Sequence, residues 1–397
     1  MEDKAQKLTA KYHVDLYGRY PLTLTGGEGV YVTAANGKTY LDALAGIAVN
    51  CLGYSHPSLV NAIQKQAEKL IHTSNFFYTQ PQSELAELLV EVSGLDKVFF
   101  CNSGAEAVEG AIKLARKYGH LKGKEGNIIS MKNCFHGRTI ATISMGQEKY
   151  QKGFAPLAPG FEQTVMNDIE MLENKINDET PAVILEPVQG QGGIRPADKA
   201  YLKSARQLCD KYDALLILDE IQCGVGRTGT MYAYHQYEIE PDIVTTAKAL
   251  GGGFPIGAVI AKEDAAAAFK HGEHGTTYGG NPLACAASYV VLTTILEENL
   301  AEHAAETGSY FMQEMKKKAE DIPSIKEVRG LGLMIGVELT FEGAAVVKAM
   351  RERGVISNCT AGNVMRIVPP LIITKKEIEK IMDVLIEAIK EVEKNYA

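Results

Sequence analysis

From residue 98 to residue 247 the chain alternates short β-branched or aromatic runs with stretches of helical periodicity, and few folds admit that alternation. Val98 to Cys101, Asn127 to Met131, Ala182 to Leu185, Leu215 to Leu218 and Ile243 to Ala247 are each too apolar for a sheet with one wet face. They predict strands buried on both faces, hence an α/β fold with a mainly parallel sheet flanked by helices. Pro57 opens a helix whose Leu59, Ile63, Ala67 and Leu70 or Ile71 share one face, and a second helix is expected from about Ala105 to Tyr118. After about residue 290 amphipathic helices around 298–319, 343–353 and 375–393 enclose two or three strands, which predicts a smaller α+β domain. The N-terminal segment, where Tyr31, Val32 and Tyr40, Leu41 flank the Asn36-Gly37 turn, is expected to complete it. The predicted organisation is therefore 1–50 packing with the small domain, 51–290 as the large domain and 291–397 as the small one.

Charge narrows the partners. There are 41 basic and 49 acidic side chains, a formal −8, with no block of like charge. Nucleic acid and anionic membrane need clustered Lys and Arg, so neither is an expected partner. Met1-Glu2-Asp3-Lys4 has no apolar stretch behind it, which predicts no secretory signal. The apolar run from about Leu283 to Leu296 is broken by Ser288, Tyr289, Thr293 and Thr294 and falls short of the roughly 20 residues of a membrane span. Seven scattered cysteines without a C-x-x-C pair fit reduced thiols and a cytoplasmic location.

In an open α/β sheet, ligands bind beyond the carboxyl ends of the strands. Strand 98–101 runs into Asn102-Ser103-Gly104-Ala105-Glu106, where free amides at a helix start would make a cup for phosphate; a plain Ser or Asn cap is the alternative. Strand 215–218 ends in Asp219-Glu220. An acid at a buried strand tip is costly unless a cation such as a protonated ring nitrogen meets it, whereas an acid just past the strand end would simply be solvated. The stretch that follows holds a literal G-x-G-x-x-G at Gly224, Gly226 and Gly229, which raises a dinucleotide oxidoreductase as a rival. Against it, the two acids stand between strand and glycines, and several strands precede this one. Strand 243–247 delivers Lys248 ahead of Gly251-Gly252-Gly253. Most lysines are solvated, but one buried at a strand end loses pKa and can form a Schiff base as a neutral amine. Other chemistries lack their parts: there is no H-E-x-x-H and no G-x-S-x-G, Gly37-Lys38-Thr39 has Val32 where a P-loop needs glycine, and His271 with His274 lacks zinc spacing.

A phosphate cup at 103–105, Asp219 and Lys248, in that order, are what a pyridoxal phosphate enzyme requires. The sequence NSGAEA at 102–107, FHGRT at 135–139, EPVQG at 186–190, DEIQ at 219–222, AKALGGG at 247–253, GTTYGGNPLA at 275–284 and RIVPPL at 366–371 resembles the class III aminotransferases, over about Tyr17 to Leu371 and onward in general pattern. The resemblance implies a fold-type I pyridoxal 5'-phosphate transferase with a seven-stranded type of sheet and a smaller α+β domain. It implies Lys248 as Schiff-base anchor and proton-moving base, and Asp219 as partner of the ring nitrogen. Ser103, Gly104 and Ala105 would hold the phosphate, Phe135 would stack on the ring, Gln222 would bond the ring hydroxyl, and Glu186 would join the cofactor contacts. Thr277 would reach the phosphate of the partner subunit's cofactor with Thr276 near substrate, hence a homodimer with shared sites. Arg138 and Arg366 are the implied carboxylate forks, and Tyr17 matches a substrate-contacting tyrosine of the branch that uses ornithine.

Two positions depart from the family pattern. Gln191 stands where a glutamate usually follows Gln-Gly and masks the second arginine, so Arg366 is expected to stay more available to carboxylates. Val108 replaces a common Asn. The implied reaction moves the terminal amino group of N-acetylornithine to 2-oxoglutarate, a step of arginine biosynthesis; ornithine, succinylornithine and 4-aminobutyrate are alternative donors. A nicotinamide-dependent oxidoreductase and a catalytically silent binding protein are the readings from other classes.

Overall fold

The computed structural model describes residues 2–394. Its largest sheet has seven strands in the spatial order Lys97–Cys101, Gly257–Ala261, Ile243–Thr246, Leu215–Asp219, Ala182–Leu185, Ile128–Met131 and Phe161–Thr164. Gly257–Ala261 runs antiparallel to both of its neighbours, and the other six share one direction. Every residue of Ala182–Leu185, Leu215–Asp219, Ile243–Thr246 and Gly257–Ala261 is buried, as a sheet covered by helices on both faces requires. The fold is thus α/β with a mainly parallel seven-stranded sheet. Phe161–Thr164 and Gly257–Ala261 are strands that the sequence reading did not single out. The first is a half-polar edge strand, Phe-Glu-Gln-Thr, and carries no alternation to read.

The helix predicted from Ala105 spans Gly104–Leu121; Ser103 caps it, its hydroxyl accepting from the Glu106 amide at 3.2 Å. Further on, Ile325–Leu331, Met334–Leu339, Val364–Ile367 and Asn358–Thr360 form an antiparallel sheet of four, accompanied by helices Leu300–Ala319, Ala344–Glu352 and Lys375–Glu393. The N-terminal strands Leu24–Glu28, Tyr31–Ala34 and Thr39–Asp42 pair in sequence, and the last takes Val355–Ile356 as a parallel neighbour. Asn36-Gly37 forms the expected hairpin turn, with Gly37 at φ +83°. Among the described residues no single helix is long and apolar enough to cross a membrane.

Candidate active site

Three parallel strands of the large sheet end at one edge and deliver the chemistry there. Lys97–Cys101 leads into Asn102 and Ser103, Leu215–Asp219 ends on Asp219, and Ala182–Leu185 is followed by Glu186. Ile243–Thr246 adds Lys248 beside them, and together these residues line a cavity of about 470 Å³, a volume suited to a cofactor.

One end of the cavity is a helix start. Gly104 and Ala105 occupy the first turn, where backbone amides have no intrahelical acceptor and the dipole is positive. Small residues let this start close on its neighbours. A Cβ on Gly104 would stand 2.9 Å from Ile221 Cδ1, and one on Gly257 would stand 2.6 Å from the Ser103 carbonyl oxygen. Phe135 and Arg138 also line the space.

Asp219 is 4% exposed and Glu186 is 6% exposed, so both carboxyls have lost most of their water. Asp219 Oδ1 accepts from the Ile221 amide at 3.1 Å and Oδ2 lies 2.7 Å from His136 Nδ1. Burial alone would keep the imidazole neutral; the Cys134 sulfur and the hydrogen-bonded Asp219 carboxylate reverse this and hold its pKa well above the usual histidine value. Glu186 Oε2 is buried without a hydrogen-bond partner, and burial pushes its carboxyl up to about 8. Sequence reasoning missed His136, although it lies inside the FHGRT motif; nothing local shows that it meets an acid 83 positions away.

Lys248 sits in the left-handed region at φ +46°, directly after Ala247 at φ −168°, ψ −144°. A non-glycine residue there costs about 1–2 kcal/mol, and such strain gathers at functional positions. Glycines 252 and 253, at φ +57° and +119°, complete the turn. Burial lowers the Lys248 pKa and the Arg366 charge adds to it, against the opposing pull of Asp219 and Glu186.

Arg366 is 1% exposed. Its Nε donates to Asn358 Oδ1 at 3.1 Å, and its Nη1 donates to Gln191 Oε1 at 3.4 Å and Gln222 Oε1 at 3.3 Å. All three partners are neutral, and burial brings its pKa down to about 10. Gln222 also lines the cavity, so Arg366 reaches it through that side chain. Arg138 is exposed and its guanidinium lies over the Tyr150 ring, 4.1 Å from the centroid.

The remaining expected residues lie elsewhere. Thr276 and Thr277 line a second hollow of about 740 Å³ with His72 and Phe76; Asn102 joins the two spaces, its Nδ2 donating to Thr276 Oγ1 at 3.0 Å. Tyr17 is 69% exposed with Arg19 over its ring, and does not line the cavity. Val108 is fully buried in its helix and is likewise absent from the cavity wall. The three glycines at 224, 226 and 229 do not line it either: Gly226 packs on Leu371 and Ile295, and Gly229 on Ala305. His274 is flanked by Phe99 and Phe269, and the described residues hold no cluster of His, Cys, Asp or Glu suited to a metal.

The residues present fit pyridoxal phosphate. The cavity offers an anion cup at one end, a buried acid backed by a charged imidazole, a lysine of lowered pKa, and an orphaned Glu186 oxygen awaiting a polar partner. A sequence profile described as Aminotransferase class-III matches residues 15–389. The chain is 55% identical over 390 residues to the acetylornithine aminotransferase of Methanocaldococcus jannaschii, covering 98% of each protein. It is 50% identical to that of Caldanaerobacter subterraneus subsp. tengcongensis, over 96% of this chain and 98% of the relative. Among solved structures it is similar to the ornithine aminotransferase of Toxoplasma gondii ME49, with TM-score 0.96 and 35% identity over 100% of this chain and 96% of the other. The acetylornithine aminotransferase of Elizabethkingia anophelis gives TM-score 0.90 and 36% identity, over 98% and 99%.

Proposed function

Because the chain belongs to the class III aminotransferases, we propose that it moves the terminal amino group of N2-acetyl-L-ornithine to 2-oxoglutarate. The products are N-acetyl-L-glutamate 5-semialdehyde and L-glutamate, a step of arginine biosynthesis. The observation that carries the reading is Lys248: an amine of lowered pKa, at a strained left-handed position, in the cavity that also holds Asp219. The donor follows the relatives, since those at 55% and 50% identity carry the acetylornithine name.

The cofactor is pyridoxal 5'-phosphate, which when bound supplies an electron sink for the pair left on a substrate carbon after its proton is removed. Ser103 with the amides of Gly104 and Ala105 holds the phosphate. Asp219, positioned by its 2.7 Å hydrogen bond with His136, would hold the proton on the ring nitrogen. Phe135 covers the ring, while Glu186 and Gln222 meet its polar edge. Lys248 Nζ is the covalent anchor. As a free amine it would be the base that takes the proton from the substrate carbon and returns it, and burial, which lowers its pKa, favours the neutral form that this work needs.

Both substrates carry a carboxylate far from the reacting carbon, and we assign it to Arg138. Only 2-oxoglutarate also carries one next to the reacting carbon, and Arg366 takes it; a buried guanidinium with neutral partners is poised for an anion. Tyr17 and Thr276 are assigned to the substrate side. The working enzyme is a cytoplasmic homodimer in which Thr277 serves the phosphate of the partner's site, with no nucleic-acid or membrane partner. The proposed division at about 50 and 290 assigns Lys248 to the large domain and Arg366 to the small one.

The visible spectrum of the purified holoenzyme tests this. The absorbance of the lysine-bound cofactor should fall on adding N-acetylornithine and return with 2-oxoglutarate. A response to ornithine or 4-aminobutyrate but not to N-acetylornithine keeps the aminotransferase and replaces the donor. A protein that takes up no pyridoxal phosphate sinks the reading.

A further inference from the structure

Arg138 is assigned to a carboxylate that both substrates share, yet its guanidinium is exposed and is held by no acid or hydrogen-bond acceptor among the described residues. What it rests on is an aromatic face. Tyr150 lies beneath it at 4.1 Å, and Phe135 is the next ring at 5.6 Å. Tyr150 in turn meets Phe135 edge-on, with centroids 5.6 Å apart at 75°. The ring is well anchored: it closes the short turn Glu148–Tyr150, and the next residue, Gln151, donates to the carbonyls of Ile143 at 2.9 Å and Gly146 at 3.2 Å.

We propose that Tyr150 is a positioning residue that sets the plane of Arg138 for substrate carboxylates. This deepens the reaction assigned above and rests on it. A stacked guanidinium is fixed through its face, so all five N–H donors in its plane stay free for a bidentate carboxylate. An acidic partner would fix the arginine equally well but would occupy those donors and compete with the substrate. Aromatic support therefore solves a conflict that an ion pair creates. It also accounts for the absence of an acid beside a cation whose work is to bind one. The Tyr150 hydroxyl accepts from Gln191 Nε2 at 3.5 Å, and Gln191 touches Arg366, so the ring beneath one carboxylate fork contacts the amide beside the other.

The test compares Tyr150→Leu with Tyr150→Phe in the holoenzyme. Removing the ring should raise KM for N-acetylornithine and for 2-oxoglutarate about tenfold each, with kcat within about twofold. Tyr150→Phe keeps the face and should keep both KM values near native. Glutarate, a dicarboxylate of the acceptor's chain length, gives a readout apart from turnover: by calorimetry it should bind Tyr150→Leu about tenfold more weakly. Pentylamine, a donor with no carboxylate, should bleach native and Tyr150→Leu enzymes at equal rates. Unchanged KM and glutarate affinity in Tyr150→Leu overturn the proposal, as does a Phe variant as impaired as the Leu variant or an equal loss with pentylamine. If native enzyme ignores N-acetylornithine but uses another carboxylated amine, the donor assignment fails and Tyr150 is judged on that amine. Inactivity with every carboxylated amine defeats both.

Discussion

Gln191 offers Arg366 a carbonyl oxygen at 3.4 Å, where a carboxylate would cancel the arginine's charge. The difference is one of availability: a guanidinium paired with an acid must give up that pair before it takes the substrate's. Gln191→Glu should therefore raise KM for 2-oxoglutarate about tenfold or more, leave KM for N-acetylornithine within about twofold, and so shift preference toward the donor over glutamate. Steady-state kinetics with each substrate varied in turn would read this; an unchanged donor-to-glutamate preference removes Gln191 from specificity. Glu186 makes a second residue-scale prediction. Burial raises its pKa to about 8, so the folded chain binds this proton more tightly than the unfolded one. Stability from this group is then greatest at low pH and is lost as pH climbs from about 5 to about 8. In the cofactor-free protein, Glu186→Gln should flatten the fall of Tm across that window relative to native. Equal slopes in the two proteins would mean that Glu186 ionises without cost. Residues of this kind divide by legibility. Lys248, Asp219 and Arg366 stand at strand ends or in recurrent motifs and could be read from sequence. The partnership of His136 with Asp219 and the support of Arg138 by Tyr150 are products of folding, since no local pattern records which side chains a sheet edge brings together.

Strands and helices carry that geometry, and a close point beside the cavity is the seam between Gly257–Ala261 and the start of Gly104–Leu121. Gly257 pairs with Cys101, and an added Cβ would stand 2.6 Å from the Ser103 carbonyl oxygen, a backbone atom that no rotamer change can move away. Gly257→Ala should force the strand and the helix start apart. Overpacking of this sort costs about 1–3 kcal/mol, and displacement of the phosphate cup should weaken pyridoxal phosphate about tenfold. Equilibrium dialysis of the cofactor with thermal denaturation of the apo form would measure both. Native affinity would show that the Ser103 to Ala105 amides are not the anchor. This strand also marks the limit of pattern reading. Gly-Ala-Val-Ile-Ala is short, has a glycine at its head and follows Phe254-Pro255-Ile256, so composition gives no direction for it. Its antiparallel run depends on the neighbours that Ile243–Thr246 and Lys97–Cys101 provide. The five legible runs are mostly apolar, as strands buried on both faces can be without alternation; Gly257–Ala261 is equally apolar, but its glycine and two alanines are weak strand formers and hid it.

At the scale of the molecule, one surface is more apolar than a lone chain tolerates well. Phe76 is 91% exposed and Tyr78 101%; Phe77 and Ile71 are exposed near them in sequence, and exposed Tyr278 lies against His72. Large exposed apolar groups in one region mark an interaction surface, and the proposed occupant is a second copy of this chain. The family resemblance implies that Thr277 serves the partner's site and hence a homodimer, whereas the residues by themselves hold no information about which of two identical chains supplies a residue. The two arrangements differ in a way that mixing reveals. Lys248→Ala lacks the anchor and should be inactive alone, and Thr277→Ala should bind the cofactor weakly and turn over slowly. If Thr277 serves the partner's site, a mixed dimer has one site lacking both groups and one with both intact. Random reassortment of equal amounts then restores about a quarter of the native sites, half of the dimers being mixed with one good site in each. If Thr277 serves its own chain, every site that keeps Lys248 still lacks the threonine, and mixing restores nothing beyond the Thr277→Ala rate. Measuring turnover at limiting pyridoxal phosphate, after the two variants have been co-refolded, separates these outcomes; recovery to about a quarter requires that the active sites be shared between subunits.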